Sequence, residues 1–150
     1  MRDAAPGGGA WNLRANARGF GFRIGDAALA LNARRIFATY LRGQAGEGSA
    51  CDAAELIFGE LLGNVARHAP GTVEVFLRWN GPTAVLEIYD DGPGYTIDQA
   101  ELPDDDFCES SRGLFLIAAF GGKDLRTYRA PDGRNVTHVV LPVRKATRTA

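Results

Sequence analysis

The stretch Glu55–His68 restricts the fold of this 150-residue chain more than any other part of its sequence. Apolar residues recur there at intervals of four, which is the spacing of one face of an α-helix. Asp52 is placed to cap the start of this helix, and Pro70 followed by Gly71 prevents it from continuing. The sequence therefore predicts a helix that packs an apolar row against a core. That row is formed by Ile57, Leu61 and Val65.

A polar row runs beside the apolar row on the same helix. Glu60, Asn64 and His68 are spaced by four residues, so successive side chains lie roughly 6 Å apart along the axis. A carboxylate and an amide at the edge of a core-facing stripe are costly to bury unless something pairs with them. Two interpretations remain open. The row is either a polar rim with His68 in a structural role, or a site where a carboxylate handles a proton beside an amide oxygen that holds a hydrated cation.

The composition is that of an ordinary globular domain, with 45% hydrophobic and 23% charged residues. We expect a flexible glycine-rich segment at residues 1–10, one domain at 11–143 and a short basic tail at 144–150. The net charge of −1 gives no sign of a nucleic-acid-binding surface.

The same sequence carries no signal for a membrane or a secreted location. No stretch has the ~18 apolar residues that a transmembrane helix needs, and the start lacks the apolar core of a signal peptide. Cys51 and Cys108 stand apart from each other and from any cysteine–histidine cluster. We therefore expect neither a disulfide scaffold nor a zinc site, and a location in the reducing cytoplasm.

Alternation of apolar and polar residues predicts strands along the rest of the chain, and longer apolar stripes predict helices. In order, these are a strand near 20–24, a helix from about 26 to 42, strands at 73–79 and 84–90 joined by a turn at 80–82, a helix at 114–120, and strands at 125–128 and 136–141.

The strand that ends at Asp90 carries a charged residue onto its apolar face. Leu86 and Ile88 alternate with polar positions, and Asp90 continues their face of the strand. Gly92 and Gly94 follow, where the lack of a side chain allows a tight backbone and close approach of a ligand. A plain turn after a strand would explain the glycines alone. The inward-facing Asp90 favours a binding site.

A long acidic connection separates this strand from the next predicted helix. Residues 101–112 have no regular pattern, and connections of that length inside a compact domain are usually functional, often as a lid. Gly113 opens the following helix, and Ser110, Ser111 and Arg112 precede it. Free backbone N–H groups at a helix start make a reasonable anion site, although most helix starts bind nothing.

Three of these features come in an order that resembles a known family. The segments that contain Glu60 with Asn64, Asp90-x-Gly92-x-Gly94, and Arg112-Gly113-Leu114 are similar to the N, G1 and G2 boxes of the GHKL ATPase superfamily. The resemblance extends over roughly 26–142. Within the superfamily, the chain looks most like the anti-sigma-factor serine/threonine kinases.

The resemblance implies the Bergerat ATP-binding fold. That fold is an α/β (α+β) two-layer sandwich, in which a mixed, mostly antiparallel sheet is covered on one face by three helices. The implied cofactors are ATP and Mg²⁺, held between the helices and the lid.

The resemblance also implies a role for each matching residue. Glu60 would be the catalytic general base, and Asn64 would bind the nucleotide through Mg²⁺. Asp90 would accept a hydrogen bond from the adenine amino group, with Thr137 on the last strand behind it. The remaining nucleotide-binding positions would be Gly92, Gly94, Arg112, Gly113 and Leu114.

The implied partners are a sigma factor, which the protein would sequester, and a STAS-type antagonist, which it would phosphorylate. A homodimer is implied as well, whereas neither nucleic acid nor a membrane is an expected partner. The chain departs from the family pattern at Ser111, where the G2 box usually has glycine. Two other functions therefore stay open. These are a non-catalytic sequestering module with a degenerate nucleotide site, and an ATP-binding domain that acts in trans with a histidine-kinase system.

Overall fold

A computed structural model describes residues 14–16, 19–24, 30–68, 72–92 and 117–147. These ranges contain two long helices and six strands. In chain order they are β1 Arg14–Asn16, β2 Gly19–Ile24, α1 Ala30–Gln44, α2 Cys51–His68, β3 Val73–Asn80, β4 Thr83–Asp90, β5 Lys123–Arg129 and β6 Asn135–Arg144.

The six strands form one sheet in the order β1-β2-β3-β4-β6-β5. Each neighbouring pair among these strands is antiparallel. The last strand in the chain, β6, lies inside the sheet between β4 and β5. The predicted α+β sandwich with a mostly antiparallel sheet is confirmed, and the described strands include no parallel pair.

One face of the sheet is covered by the helices, and the core lies between these two layers. α1 packs over β2, and α2 packs over β6. The rings of Phe37 in α1 and Phe58 in α2 are stacked with centroids 4.2 Å apart, which joins the two helices. The predicted apolar row of α2 is buried as expected. Core side chains include Leu41, Ile57, Leu61 and Val65 from the helices, and Val75, Leu77, Leu86, Ile88, Val139 and Leu141 from the strands.

The start of α2 differs from the prediction. The helix begins at Cys51, so Asp52 lies in its first turn and is not the N-cap. The N–H of Ala50 donates to the carbonyl of Pro142 in β6 at 3.0 Å, and the N–H of Ala54 donates to the carbonyl of Ala50 at 3.0 Å. The hydrogen bond from Ala50 to β6 therefore fixes where the helix starts. The carboxylate of Asp52 instead pairs with Arg42 of α1 at 2.5 Å.

The third predicted helix is described only at its end. Residues 117–119 are helical, and Ile117 packs into the core. Gly121 has φ = 98°, a conformation that favours glycine. The N–H of Gly122 donates to the carbonyl of Ile117 at 2.9 Å, and that of Gly121 donates to Ala118 at 3.1 Å. These bonds form a Schellman motif, so the predicted glycine cap is confirmed.

The other face of the sheet carries a buried carboxylate, Glu87 of β4. Its oxygens accept hydrogen bonds from Arg78 at 2.5 Å and from the hydroxyl of Tyr128 at 2.9 Å, and Nδ1 of His138 lies 3.1 Å away. Burial, together with the hydrogen bond to Glu87, raises the pKa of Tyr128 to about 12. The cluster joins β3, β4, β6 and β5 on the face that the helices leave open.

The basic tail is attached to the domain over its first residues. Arg144 ends β6, Lys145 donates from its backbone to Pro82 at 2.9 Å, and Ala146 donates to Gln44 at 2.8 Å. The fraying expected of a short terminal segment therefore does not apply to these three residues.

Candidate nucleotide-binding site

Asp90 ends β4 on the face of the sheet that the helices cover. It pairs with Val73 of β3 on one side and Asn135 of β6 on the other, and only 3% of its surface is exposed. The predicted inward-facing position of this carboxylate is therefore confirmed. Its Oδ1 accepts hydrogen bonds from the N–H of Gly92 at 2.8 Å and from Nδ2 of Asn135 at 3.3 Å. No described residue donates to Oδ2, so that oxygen is left to accept a ligand's donor.

Asn135 is the residue of this site that the sequence did not indicate. It is the first residue of β6 and is 7% exposed. Its side-chain amide donates to Asp90 and also to the carbonyl oxygen of Gly92. Both partners are acceptors, so the nitrogen of the amide must face them. The three residues form a closed set of hydrogen bonds at the start of the predicted glycine loop.

Thr137 was predicted to stand behind Asp90. It lies on the same face of β6 as Asn135, pairs with Ile88, and is 1% exposed. It is therefore one position along the strand face from the pair formed by Asp90 and Asn135. Its predicted role in the site stays a prediction.

Glu60 and Asn64 lie on the side of α2 that faces away from α1. The α1 side is marked by Glu55, which pairs with Arg42 at 3.3 Å and Arg34 at 3.9 Å. Asn64 comes nine residues after Glu55, about two and a half helical turns, and so points in the opposite direction. Asn64 is 2% exposed, whereas Glu60 is half-buried. The helix therefore carries one buried amide beside one accessible carboxylate.

The direction of α2 brings these side chains to the end of the sheet where Asp90 lies. The helix starts beside Pro142 of β6 and extends about 27 Å over its 18 residues. It ends at His68, shortly before Val73, which pairs with Asp90. The second half of α2, with Asn64, therefore lies towards the Asp90 end of the covered face. His68 ends the helix, and the structure does not describe its side chain.

Several predicted site residues lie outside the described part of the chain. These are Gly94, Ser111, Arg112, Gly113 and Leu114, together with the expected lid at 101–112. Their assignment to the nucleotide site stays a prediction.

The described side chains suit a purine nucleotide that carries a hard cation. A buried carboxylate oxygen can only accept, so Oδ2 of Asp90 matches an exocyclic amino group. Asn64 offers one amide oxygen, and Mg²⁺ typically takes one or two protein ligands and completes its shell with water and phosphate oxygens. Among the described residues, no group of three or more His, Cys, Asp or Glu side chains is arranged to hold a metal on its own. A cation here would therefore depend on the nucleotide.

Comparison with known proteins places the chain in a family. No helix in the described ranges is long and apolar enough to cross a membrane. A search of curated proteins returned no match. The sequence does match the histidine kinase-like ATPase domain over residues 25–140, a range that includes both Glu60 and Asp90. Domains of this kind bind ATP, usually together with Mg²⁺. The match covers well over half of the sequence, and the chain belongs to the histidine kinase-like ATPase domain family.

Proposed function

We propose that this protein is an ATP- and Mg²⁺-dependent serine/threonine protein kinase of the anti-sigma-factor type. The observation that carries the proposal is the buried carboxylate of Asp90, which ends β4 on the helix-covered face and has Oδ2 left for a ligand. Two donors meet its Oδ1, and burial of the carboxylate costs less if a donor pairs with the second oxygen as well. The adenine amino group is such a donor.

The kinase part of the proposal rests on Glu60. Its carboxylate is half-buried on the same side of α2 as Asn64 and reaches solvent, where a protein substrate would approach. In this mechanism, Glu60 accepts the proton of a serine or threonine hydroxyl as that oxygen bonds to the γ-phosphorus, and ADP leaves. Asn64 holds the cation that neutralises charge on the phosphates. ATP supplies the phosphoryl group.

The proposed partners follow from the resemblance to anti-sigma-factor kinases. In that function the protein sequesters a sigma factor and is countered through a STAS-domain antagonist, which is its phosphorylation substrate. The proposed location is the cytoplasm, where both partners would be found.

Calorimetric titration with Mg²⁺·ATP tests the nucleotide site. The variant Asp90→Asn replaces one acceptor oxygen with a donor, and we expect affinity to fall about 10- to 100-fold, the range for a lost hydrogen bond to a charged group. Asp52→Asn makes the same change at the exposed start of α2 and is the matched control. Equal affinity of the natural chain and Asp90→Asn would refute the adenine assignment.

Phosphate transfer tests the role of Glu60. The protein is incubated with γ-labelled ATP and a panel of STAS-domain proteins, and acid-stable label on serine or threonine is counted. We expect Glu60→Ala to reduce transfer by about 10²-fold or more, the usual contribution of a general base, with ATP affinity unchanged. If ATP binding were lost together with transfer, the separation of catalytic and binding roles would be wrong.

The same experiments distinguish the proposed kinase from two other functions. Ser111 replaces a glycine of the G2 box and favours a sequestering module with a degenerate nucleotide site. That function predicts a partner complex with no measurable ATP binding. An ATP-binding domain acting in trans predicts acid-labile label on histidine of a separate domain.

A further inference from the structure

Two consecutive residues at the start of β6 contact the neighbouring strands β4 and β3, one on each face of the sheet. Asn135 lies on the helix-covered face and bonds to Asp90 and Gly92. Arg134 lies on the open face and bonds to Glu74. We propose that Asn135 is a positioning residue that fixes the plane of the Asp90 carboxylate, so that its second oxygen faces the purine amino group, and that Arg134 holds Asn135 in place from the opposite face. This inference rests on the proposed nucleotide site.

Two hydrogen bonds set the orientation of the Asp90 carboxylate. The terminal torsion of an aspartate is broad, so a carboxylate with one hydrogen bond can rotate its plane over a wide range of angles. Here two donors, the N–H of Gly92 at 2.8 Å and Nδ2 of Asn135 at 3.3 Å, meet at Oδ1. The same amide also bonds to the carbonyl of Gly92, which ties the glycine loop to the carboxylate. Asn135 therefore restrains the side chain and the loop together.

Contacts of the preceding residue, Arg134, restrain Asn135 from the open face of the sheet. The guanidinium of Arg134 lies over the ring of Tyr89, 4.6 Å from its centroid, and Tyr89 directly precedes Asp90. Arg134 also donates from Nε to Asp132 at 2.9 Å and from its backbone N–H to the same carboxylate at 3.0 Å. The hydrogen bond to Glu74 and those to Asp132 raise the pKa of Arg134, so its charge is maintained.

The two sets of contacts act on the same pair of strand ends. Glu74 pairs with Tyr89 across β3 and β4, and Asp90 pairs with Asn135 across β4 and β6. A change of Arg134 would loosen the turn that sets the position of Asn135, without touching a nucleotide on the other face. Arg134 borders a solvent-open cleft of about 350 Å³ on the open face, so its side chain can be shortened without creating a cavity in the core.

Two nucleotides that differ only in the amino group test this inference. The natural chain should bind Mg²⁺·ATP about tenfold or more tightly than the Mg²⁺ complex of purine riboside triphosphate, which lacks that group. In Asn135→Ala the ratio of the two affinities should fall close to one, because ATP binding weakens and the binding of the analogue does not. Asn135→Ser keeps one donor and should restore part of the ratio. In Arg134→Ala the ratio should fall about threefold, the size of a weak coupling within one hydrogen-bond network.

Matched controls separate positioning from general damage to the fold. Asn80→Ala makes the same change at the exposed end of β3. Arg126→Ala removes another arginine that lies over a tyrosine ring and pairs with an aspartate on the open face, but at a distance from Asn135 along β5. Both controls should keep the affinity ratio of the natural chain. Thermal melting identifies any variant that fails to fold. If Asn135→Ala does, Asn135→Ser takes its place, and its affinity ratio should lie between one and that of the natural chain.

A second readout needs no nucleotide. Hydrogen exchange at the amide of Gly92, measured by NMR, should be faster in Asn135→Ala and unchanged in Asn80→Ala, because that amide is bonded to Oδ1 of Asp90.

An affinity ratio and a Gly92 exchange rate that both stay unchanged would overturn the inference. So would an equal loss of affinity for both nucleotides. A natural chain that binds neither nucleotide would overturn the proposed function and this inference with it, whereas an ATP preference that persists in Asn135→Ala overturns this inference alone.

Discussion

At the scale of single residues, Glu87 gives the stability of this protein a dependence on pH. Burial of its carboxylate raises its pKa, but the hydrogen bonds from His138 and Tyr128 and the charge of Arg78 outweigh that effect. The pKa of Glu87 in the folded protein is therefore below its ordinary value of 4.5. A carboxyl group with a lowered pKa stabilises the fold above the unfolded value, and this stabilisation is lost as the pH falls through the folded value.

The variant Glu87→Gln measures this contribution. At pH 7 we expect its free energy of unfolding to be about 1–3 kcal/mol lower than that of the natural chain, because a buried charged acceptor is lost. The difference should shrink as the pH falls below 4.5, since Glu87 then takes up a proton itself. Urea unfolding at a series of pH values measures both quantities.

Glu47→Gln, at an exposed loop position, is the control and should change stability by less than about 0.5 kcal/mol. A difference that stays constant with pH would contradict the assignment.

The two residues that meet at the candidate site differ in how far the sequence reveals them. Asp90 could be predicted, because a strand alternates strictly and Leu86 and Ile88 define the face that it shares. Asn135 could not, because an asparagine after Asp132 and Gly133 is typical of a turn. Its role depends on the register between β6 and β4, which brings together residues 45 positions apart. Nothing local in the sequence specifies that pairing.

At the scale of elements, the hairpin between β3 and β4 depends on the backbone of one residue. Its two-residue loop is Gly81–Pro82, and Gly81 has φ = 63°. Proline at the second position fixes a negative φ there, so the loop is a type II′ turn and not type I′, which needs positive φ at both positions. This turn twists the strands as the sheet requires.

Two glycine variants should change stability in opposite directions. A methyl group at Gly81 meets nothing within 4 Å, so Gly81→Ala should cost about 1–2 kcal/mol from the positive φ alone. Gly43 in the last turn of α1 has equally open surroundings but helical backbone, and Gly43→Ala should stabilise the protein by about 0.5 kcal/mol. Denaturant unfolding of both variants against the natural chain measures the two effects. A stability of Gly81→Ala equal to or above that of the natural chain would show that the turn tolerates a side chain.

The sequence predicts the existence of these elements better than their ends. Five of the six described strands, the two long helices and the turn at Gly81 follow from the hydrophobic period and from turn residues, whereas β1 was not predicted. The start of α2 was misplaced because the bond from Ala50 to Pro142, which anchors it, joins residues that are far apart in the chain. An N-cap pattern such as that at Asp52 reports only local preference, and here a tertiary contact decides.

At the scale of the whole molecule, both helices and the sheet share one core, which links nucleotide binding to global unfolding. The core cluster contains residues from α1, α2 and the four strands β2, β3, β4 and β6. We therefore expect a single cooperative unfolding transition. A ligand that binds only the folded state shifts that transition by mass action.

Unfolding with and without Mg²⁺·ATP measures that shift. At an ATP concentration 100 times the dissociation constant, the free energy of unfolding should rise by about 2.7 kcal/mol. Mg²⁺·GTP at the same concentration should stabilise less, because in the proposed site guanine would present a carbonyl to Asp90 where adenine would present an amino group. In Asp90→Asn the predicted 10- to 100-fold loss of affinity should reduce the shift to about 0.4–1.4 kcal/mol at the same ATP concentration. Equal stabilisation by ATP and GTP would mean that Asp90 does not read the base.

The position of β6 inside the sheet has a consequence for synthesis of the chain on the ribosome. β4 and β5 are both translated before the strand that joins them, so the nascent protein holds two strands whose shared neighbour does not yet exist. Asp90 emerges 45 residues ahead of Asn135 and cannot be oriented by it during that interval. Arrival of β6 then closes the sheet and completes the Asp90 site in one step. The nascent chain should therefore become able to retain nucleotide only after β6 has left the exit tunnel.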